Sequence, residues 1–419
     1  MIEIKQHKIN NCEITVPGSK SFTHRMLIAA ALSDGVSLIN NGLISNDTQM
    51  TMAALEQMGI RIESKTDGFL VHGKGGYLDS CDYPIHLGNS GTSMRLLTAV
   101  AAIGKGTFKI TGSQRMGERP IQDLLDALRQ LGVSVRSLNN NGYPPVEVTG
   151  GTLFGDKVAI NCEKSSQYLS ALLLIAPYTE NGIEITVTKG LVSRPYVDMT
   201  VEVMKTFGAT LTREGYRKFK VPGAQVYRTG EYWVEGDCSH ATYFWSAAAI
   251  TGTRIKVLGI KPGSPQGDVR FVDLLNKMGC RIFKEPDGIS VLGGALSAIK
   301  ADLSDMPDSV PTLALVAAFA EGTSVIYNVA HLKSKESDRL TAVVTELNKM
   351  GIKATATDNA LVVKGGKPCG SIIDTYNDHR IAMSFAIAGL NVPGVYIRGE
   401  DCVEKSFPDF WQVFEELYG

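Results

Sequence analysis

Residues 126–132 read DALRQLG, and nearly the same phrase stands at 53–59 as AALEQMG. It returns as VEVMKTFG at 201–208, DLLNKMG at 273–279, TELNKMG at 345–351 and VFEELYG at 413–419. Each reads as the end of an amphipathic helix, closed by a glycine that stops it in the left-handed conformation. The closing glycines, Gly59, Gly132, Gly208, Gly279, Gly351 and Gly419, are 73, 76, 71, 72 and 68 residues apart. Five are followed by an alternating stretch such as IRIES (60–64), VSVRS (133–137) or CRIFK (280–284), which reads as a strand. Such even spacing is an internal repeat, and a repeat constrains the fold before any single motif does.

Upstream of each stop lies a second, more apolar helix: HRMLIAAAL, MRLLTAVAA, YLSALLLIAP, ATYFWSAAAI, TLALVAAFA and RIAMSFAIAGL. Helices apolar on nearly every face belong inside a core. Small polar or charged clusters precede them: GSKS, GNSGTS, KSSQ, GDCSH, MPDSVP and YNDH. The unit therefore reads as strand, buried helix, strand, exposed helix and paired strands, six times over. Six such units exceed one core, so two α/β domains of three units each are expected. The boundaries are placed at 15–235 for one domain and 1–14 plus 236–419 for the other, with a hinge in the glycine-containing EGD of Tyr232–His240.

The 42 basic and 43 acidic residues leave a net charge of −1, so nothing global attracts nucleic acid or an acidic membrane, and any anion site must be built locally. Seven dispersed cysteines without a close pair, and histidines without ligand spacing, predict free thiols in a reducing cytoplasm and no metal. No apolar run approaches the ~18 residues of a membrane span, and the first ten residues carry no signal-peptide core.

The stretch VPGSKSFTHRMLIAAAL, Val16–Leu32, sets Lys20, Ser21, Thr23 and Arg25 at the start of a helix too apolar to face water. A helix N-terminus carries partial positive charge and free N–H groups, so added cations there make an anion site, most simply for phosphate. The plainer alternative is a serine cap with solvent-facing cations. A nucleotide-binding P-loop does not fit, because GSKS lacks the Gly-Lys-Ser/Thr adjacency.

Taken together, PGSKSFTHR (17–25), LGNSGTSMR (87–95), GERPI (117–121), SSQYL (165–169), SRPYVD (193–198), EGDCSHATYF (235–244), MPD (306–308), KSKESDRL (333–340), TYNDHRIAM (375–383) and KSFPDF (405–410) span almost the whole chain. In these motifs the chain resembles the 5-enolpyruvylshikimate-3-phosphate synthases. The resemblance implies two domains, each of three βαβαββ units in an inverse α/β barrel, closing on substrate, with the first strand belonging to the C-terminal half. It implies a monomer without cofactor that transfers the enolpyruvyl group of phosphoenolpyruvate to the 5-hydroxyl of shikimate 3-phosphate, releasing phosphate through a tetrahedral intermediate.

The resemblance also implies the site. Lys20 matches a lysine touching both substrates, while Gly91, Arg119, Gln167, Arg339, Arg380 and Lys405 match phosphoenolpyruvate ligands. Arginine offers a planar fork suited to carboxylate and phosphate, and Gly91 lets backbone come close to the ligand. Ser21, Arg25, Ser165, Ser166, Gln167, Ser193 and Lys335 match ligands of shikimate 3-phosphate. Asp308 matches the acceptor of the 5-hydroxyl proton, Glu336 the acid/base at the methylene carbon, and His379 a possible assistant. Taken alone, Asp308 reads as a helix cap, and Ser165 or Ser166 as one too.

Departures from the pattern are few. His331 stands where many members carry an Asn, Ser90 and Ser93 replace alanines, and Leu96 replaces a frequent proline. The retained Gly91 predicts inhibition by glyphosate at the phosphoenolpyruvate site. The sister transferase acting on UDP-N-acetylglucosamine typically has a reactive Cys five residues before its Arg-Pro pair, where this chain has Gln114. An inactive anion-binding paralogue is the remaining alternative.

Overall fold

A computed structural model of the chain describes residues 1–418, and the sixth expected stop, Gly419, lies outside them. The chain divides into two compact units, a central one of Gly18–Val234 and a terminal one of Met1–Pro17 with Glu235–Gly419. Each has its own hydrophobic core.

The five described stop glycines all have positive φ, from +76° at Gly351 to +117° at Gly279, which an L side chain would resist. They end the helices Asn46–Gln57, Gln122–Gln130, Pro195–Thr206, Phe271–Met278 and Arg339–Lys349. Between these run six short helices of apolar composition: Lys20–Leu32, Gly91–Ile103, Gln167–Ile175, Cys238–Thr251, Val310–Ala318 and His379–Ala386. At 8–14 residues they are too short to be stable alone, so burial holds them. Each fully buried Leu, Ile or Phe contributes roughly 1.5–3 kcal/mol.

Every repeat folds as one small sheet. In one, Ile85–His86 runs parallel to Gly106–Thr111, which pairs antiparallel with Val146–Gly150, and that strand pairs with Ser134–Ser137. Among the described residues five sheets have four strands and one has three.

Two sheets borrow their first strand. Cys12–Thr15 leads into the Lys20 helix, yet it pairs parallel with Arg254–Leu258 in the terminal unit. Glu231–Trp233 leads into the Cys238 helix, yet it pairs parallel with Asp34–Asn40 in the central unit. The last repeat departs from the expected pattern. No hairpin follows its exposed helix among the described residues, and Ile2–Ile4 from the other end of the chain pairs antiparallel with Val395–Arg398 in its place. No described helix is long and apolar enough to cross a membrane.

Candidate active site

In the central unit the starts of the three buried helices are tied to one another. Lys20 Nζ lies 3.1 Å from Asp47 Oδ2, and Ser93, in the first turn of the Gly91 helix, donates to the Asp47 carbonyl at 3.4 Å. Gln167 Nε2 donates to Thr92 Oγ1 at 3.0 Å, joining the Gly91 and Gln167 helices. Arg25 closes the third side through Ser170 Oγ at 3.4 Å. In these largely buried helices Ser21, Thr92 and Gln167 are half-exposed near the starts.

The serine-cap alternative fails at these starts. Ser19, Ser90 and Ser166 make no side-chain cap bond. Ser90 instead pairs with Ser93, and Ser93 continues to Thr51 and on to the buried His24. The two serines that depart from the family pattern thus brace the Gly91 helix. Ser165 does cap, accepting from the Gln167 amide at 3.2 Å.

Arg25 is 1% exposed and bonds only neutral oxygens in this unit: Thr200 Oγ1 at 2.7 Å, the Ser21 carbonyl at 2.8 Å, the Tyr196 carbonyl at 3.1 Å and Ser170. Burial pulls its guanidinium down to about 10, the mark of a cation without a counter-charge. Ser193, held at φ +55°, is buried as well. Arg119 Nη1 is fixed by the Asn89 carbonyl at 2.8 Å and its Oδ1 at 3.0 Å. A Cβ on Gly91 would fall 2.7 Å from Arg119 Cζ and would also crowd Arg95 Nη1, so a side chain here would displace the two guanidinium groups.

In the terminal unit the charged residues form one cluster. Asp308 lies in the turn Pro307–Ser309 ahead of the Val310 helix, whose cap residue Ser309 makes no side-chain cap bond. Oδ1 meets Arg339 Nη1 at 2.7 Å and Oδ2 meets Arg380 Nη2 at 3.2 Å. Burial alone would raise the Asp308 carboxyl, but Arg380, Arg339 and Lys335 outweigh it and hold the group well below the usual carboxylate range. Arg339 also reaches Glu336 Oε2 at 2.9 Å and Asp378 Oδ2 at 2.8 Å. Arg380 is oriented by the Tyr243 hydroxyl at 2.9 Å.

Asp378 caps the His379 helix through the Arg380 amide at 3.0 Å, and His379 Nδ1 lies 3.7 Å from its Oδ1. His331 is pushed down to about 3 by burial and then by the nearby Lys335, so it is neutral at ordinary pH. Lys405 ends the short turn Glu400–Lys405, which packs on the His379 helix.

Thus Asp308, His331, Lys335, Glu336, Arg339, His379 and Arg380 gather in one unit, and Lys20, Ser21, Arg25, Gly91, Arg119 and Gln167 lie at one end of the other. Sequence reading passed over Asp47, Asn89, Tyr243 and Asp378, the groups that hold Lys20, Arg119, Arg380 and Arg339. Their letters carry no signal of their own; only the spacing of Asp378 ahead of His379 marks it, as a helix cap.

The fold and the matching family model place the chain among α/β enolpyruvyl-type (carboxyvinyl) transferases. The chain is similar to an EPSP synthase from Acinetobacter baumannii, with a TM-score of 0.83, 29% identity, and coverage of 99% of this chain and 97% of that one. The enolpyruvyl transferase NikO from Streptomyces tendae shares the fold, with a TM-score of 0.77 at 20% identity, covering 99% of this chain and 96% of that one. A family model for EPSP synthase (3-phosphoshikimate 1-carboxyvinyltransferase) matches residues 4–414. A 3-phosphoshikimate 1-carboxyvinyltransferase from Syntrophobacter fumaroxidans is 44% identical over 97% of this chain and 96% of its own length. One from Methanoregula boonei is 41% identical over 96% of each. The chain belongs to the EPSP synthase family.

Proposed function

We propose that the chain transfers the enolpyruvyl group of phosphoenolpyruvate to the 5-hydroxyl of shikimate 3-phosphate and releases phosphate. In the addition step the O5–C2 bond forms, Asp308 takes the hydroxyl proton, and Glu336 delivers a proton to the methylene carbon. In the elimination step the C2–O bond to phosphate breaks, the proton held by Asp308 goes to the leaving phosphate, and Glu336 takes a proton back from the new methyl group, restoring the double bond and both carboxyl groups.

The observation that carries this reading is Asp308 held ionised between Arg339 and Arg380, with Glu336 on the same Arg339. An ionised carboxylate is ready to accept a proton, and the arginines offer forks for the phosphate and carboxylate of phosphoenolpyruvate. Lys20, Gly91, Arg119, Gln167 and Lys405 complete that substrate's ligands. Ser21, Arg25, Ser165, Ser166, Gln167, Ser193, His331 and Lys335 take shikimate 3-phosphate, with Arg25 supplying charge against its phosphate. His379 and Lys20 assist proton transfer.

Phosphorus NMR of the purified chain with both substrates tests this: a new phosphomonoester signal with equimolar inorganic phosphate supports it, and an unchanged spectrum overturns it. The same reading has the chain act as a cytoplasmic monomer, which light scattering in solution checks for mass.

A further inference from the structure

Asp268 lies outside the residues assigned above, yet its carboxylate is buried between two helix starts of the terminal unit. It stands in the short turn Gly267–Arg270 and is 4% exposed. Oδ2 accepts from Ser239 Oγ at 2.8 Å, in the first turn of the Cys238 helix. Oδ1 accepts from the hydroxyl of Ser309, the residue after Asp308.

The charged or titratable groups that face Asp268 are Asp308 and Arg380, with Cys238 at the start of the Cys238 helix. Burial first, and the Asp308 charge second, push the Asp268 carboxyl up to about 6, against the two serine hydroxyls and Arg380. An acid in such a place costs stability that an apolar residue would not.

The turn it touches is short. Pro307–Ser309 spans three residues, with the Ser309 amide on the Met306 carbonyl at 3.2 Å. A reacting carboxylate must keep its place to within about 0.5 Å, and a turn this short does not supply that rigidity alone. A hydroxyl donating to a carboxylate is among the stronger hydrogen bonds available to add it.

We propose that Asp268 is a positioning residue for the transfer: through Ser309 it fixes the turn on which Asp308 stands, and so keeps Asp308 in register with Arg339 and Arg380. This inference rests on the role given to Asp308 above.

The test is a cycle of Asp268→Asn, Ser309→Ala and the double variant, with kcat and both KM values measured. Each single variant is expected to lower kcat on the order of tenfold, by displacing the reacting group. Both KM values are expected to stay within about twofold, because substrate ligands are untouched. The double variant should be no slower than the worse single one, since both remove the same contact. Ser309→Thr, which keeps the hydroxyl, should retain wild-type kcat. Folded single variants with wild-type kcat, or losses that multiply in the double, would overturn the inference. If Asp268→Asn does not fold, equal kcat for Ser309→Ala and Ser309→Thr overturns it instead. An inactive wild-type chain would refute the proposed reaction; an active one inactivated by Asp308→Asn but indifferent to Ser309→Ala would refute this inference alone.

Discussion

Arg339 holds Asp308 at 2.7 Å while its Nε is bound to the fully buried Asp378 at 2.8 Å. Glu336 is the third carboxylate on this guanidinium, and the first two have different surroundings. Asp378 also accepts from Ser337 and from the Arg380 amide, so it belongs to the scaffold. Asp308 keeps 18% side-chain exposure and is the one that reaches solvent. Removing each should therefore have a different consequence.

Asp308→Asn keeps the shape and removes the base. It should lower kcat by about 10²–10⁴-fold, the usual worth of a positioned acid or base, with the fold retained by circular dichroism. A steady-state assay showing a loss under threefold would contradict the role.

Asp378→Ala should instead act on stability, because it removes the most deeply buried of the three carboxylates on Arg339 and uncaps the His379 helix. A buried charge left with no partner costs about 3–5 kcal/mol, which is the ceiling here because Asp308 and Glu336 still meet Arg339. Denaturant unfolding should show Asp378→Ala as far less stable than Asp308→Asn; equal midpoints would contradict the division of labour.

Asp308 also predicts a pH dependence. Its native carboxyl lies well below the ordinary value, which is about 3.9 in an unfolded chain. The ionised form is thus favoured on folding, so its contribution to stability is complete above the unfolded value and is lost as pH falls through the native one. Measured in the Asp268→Asn background, where the neighbouring carboxyl at about 6 no longer titrates, the Tm gap on adding Asp308→Asn should stay constant from about pH 8 to 5 and narrow only below about pH 4. A gap that closes near pH 6 would contradict this.

Arg25 is expected to bind an anion through its fork. Saturating shikimate 3-phosphate at a hundredfold Kd should stabilise the wild type by about 2.7 kcal/mol, a Tm rise of several degrees. Arg25→Lys keeps charge but loses the fork and should lose at least half of that shift in a thermal scan. An unchanged shift would remove Arg25 from the ligand set.

Gly91→Ala places a methyl group against Arg119. The guanidinium must move, so KM for phosphoenolpyruvate should rise by about tenfold while KM for shikimate 3-phosphate changes little. Equal effects on the two substrates would mean that the glycine serves only the fold.

Much of this was legible in the letters, and the parts that were not share a cause. The helix stops were legible because left-handed φ demands glycine, and the buried helices because no polar face interrupts them. The exchange of Cys12–Thr15 and Glu231–Trp233 was not legible from periodicity, since strands of four and three residues carry no record of a partner far away in sequence. The strand that completes the last sheet is hidden likewise, because Ile2–Ile4 stands at the opposite end of the chain. The cations were legible through matching motifs. Their anchors were not: Asp47 sits in the first turn of an ordinary helix, and Asp268 in a polar turn.

The most direct measurement is phosphate release from the purified chain with shikimate 3-phosphate and phosphoenolpyruvate, each omitted in turn. Release that requires both substrates and disappears in Asp308→Asn is the predicted result. Release from phosphoenolpyruvate alone, or none from folded protein with both present, would contradict the account.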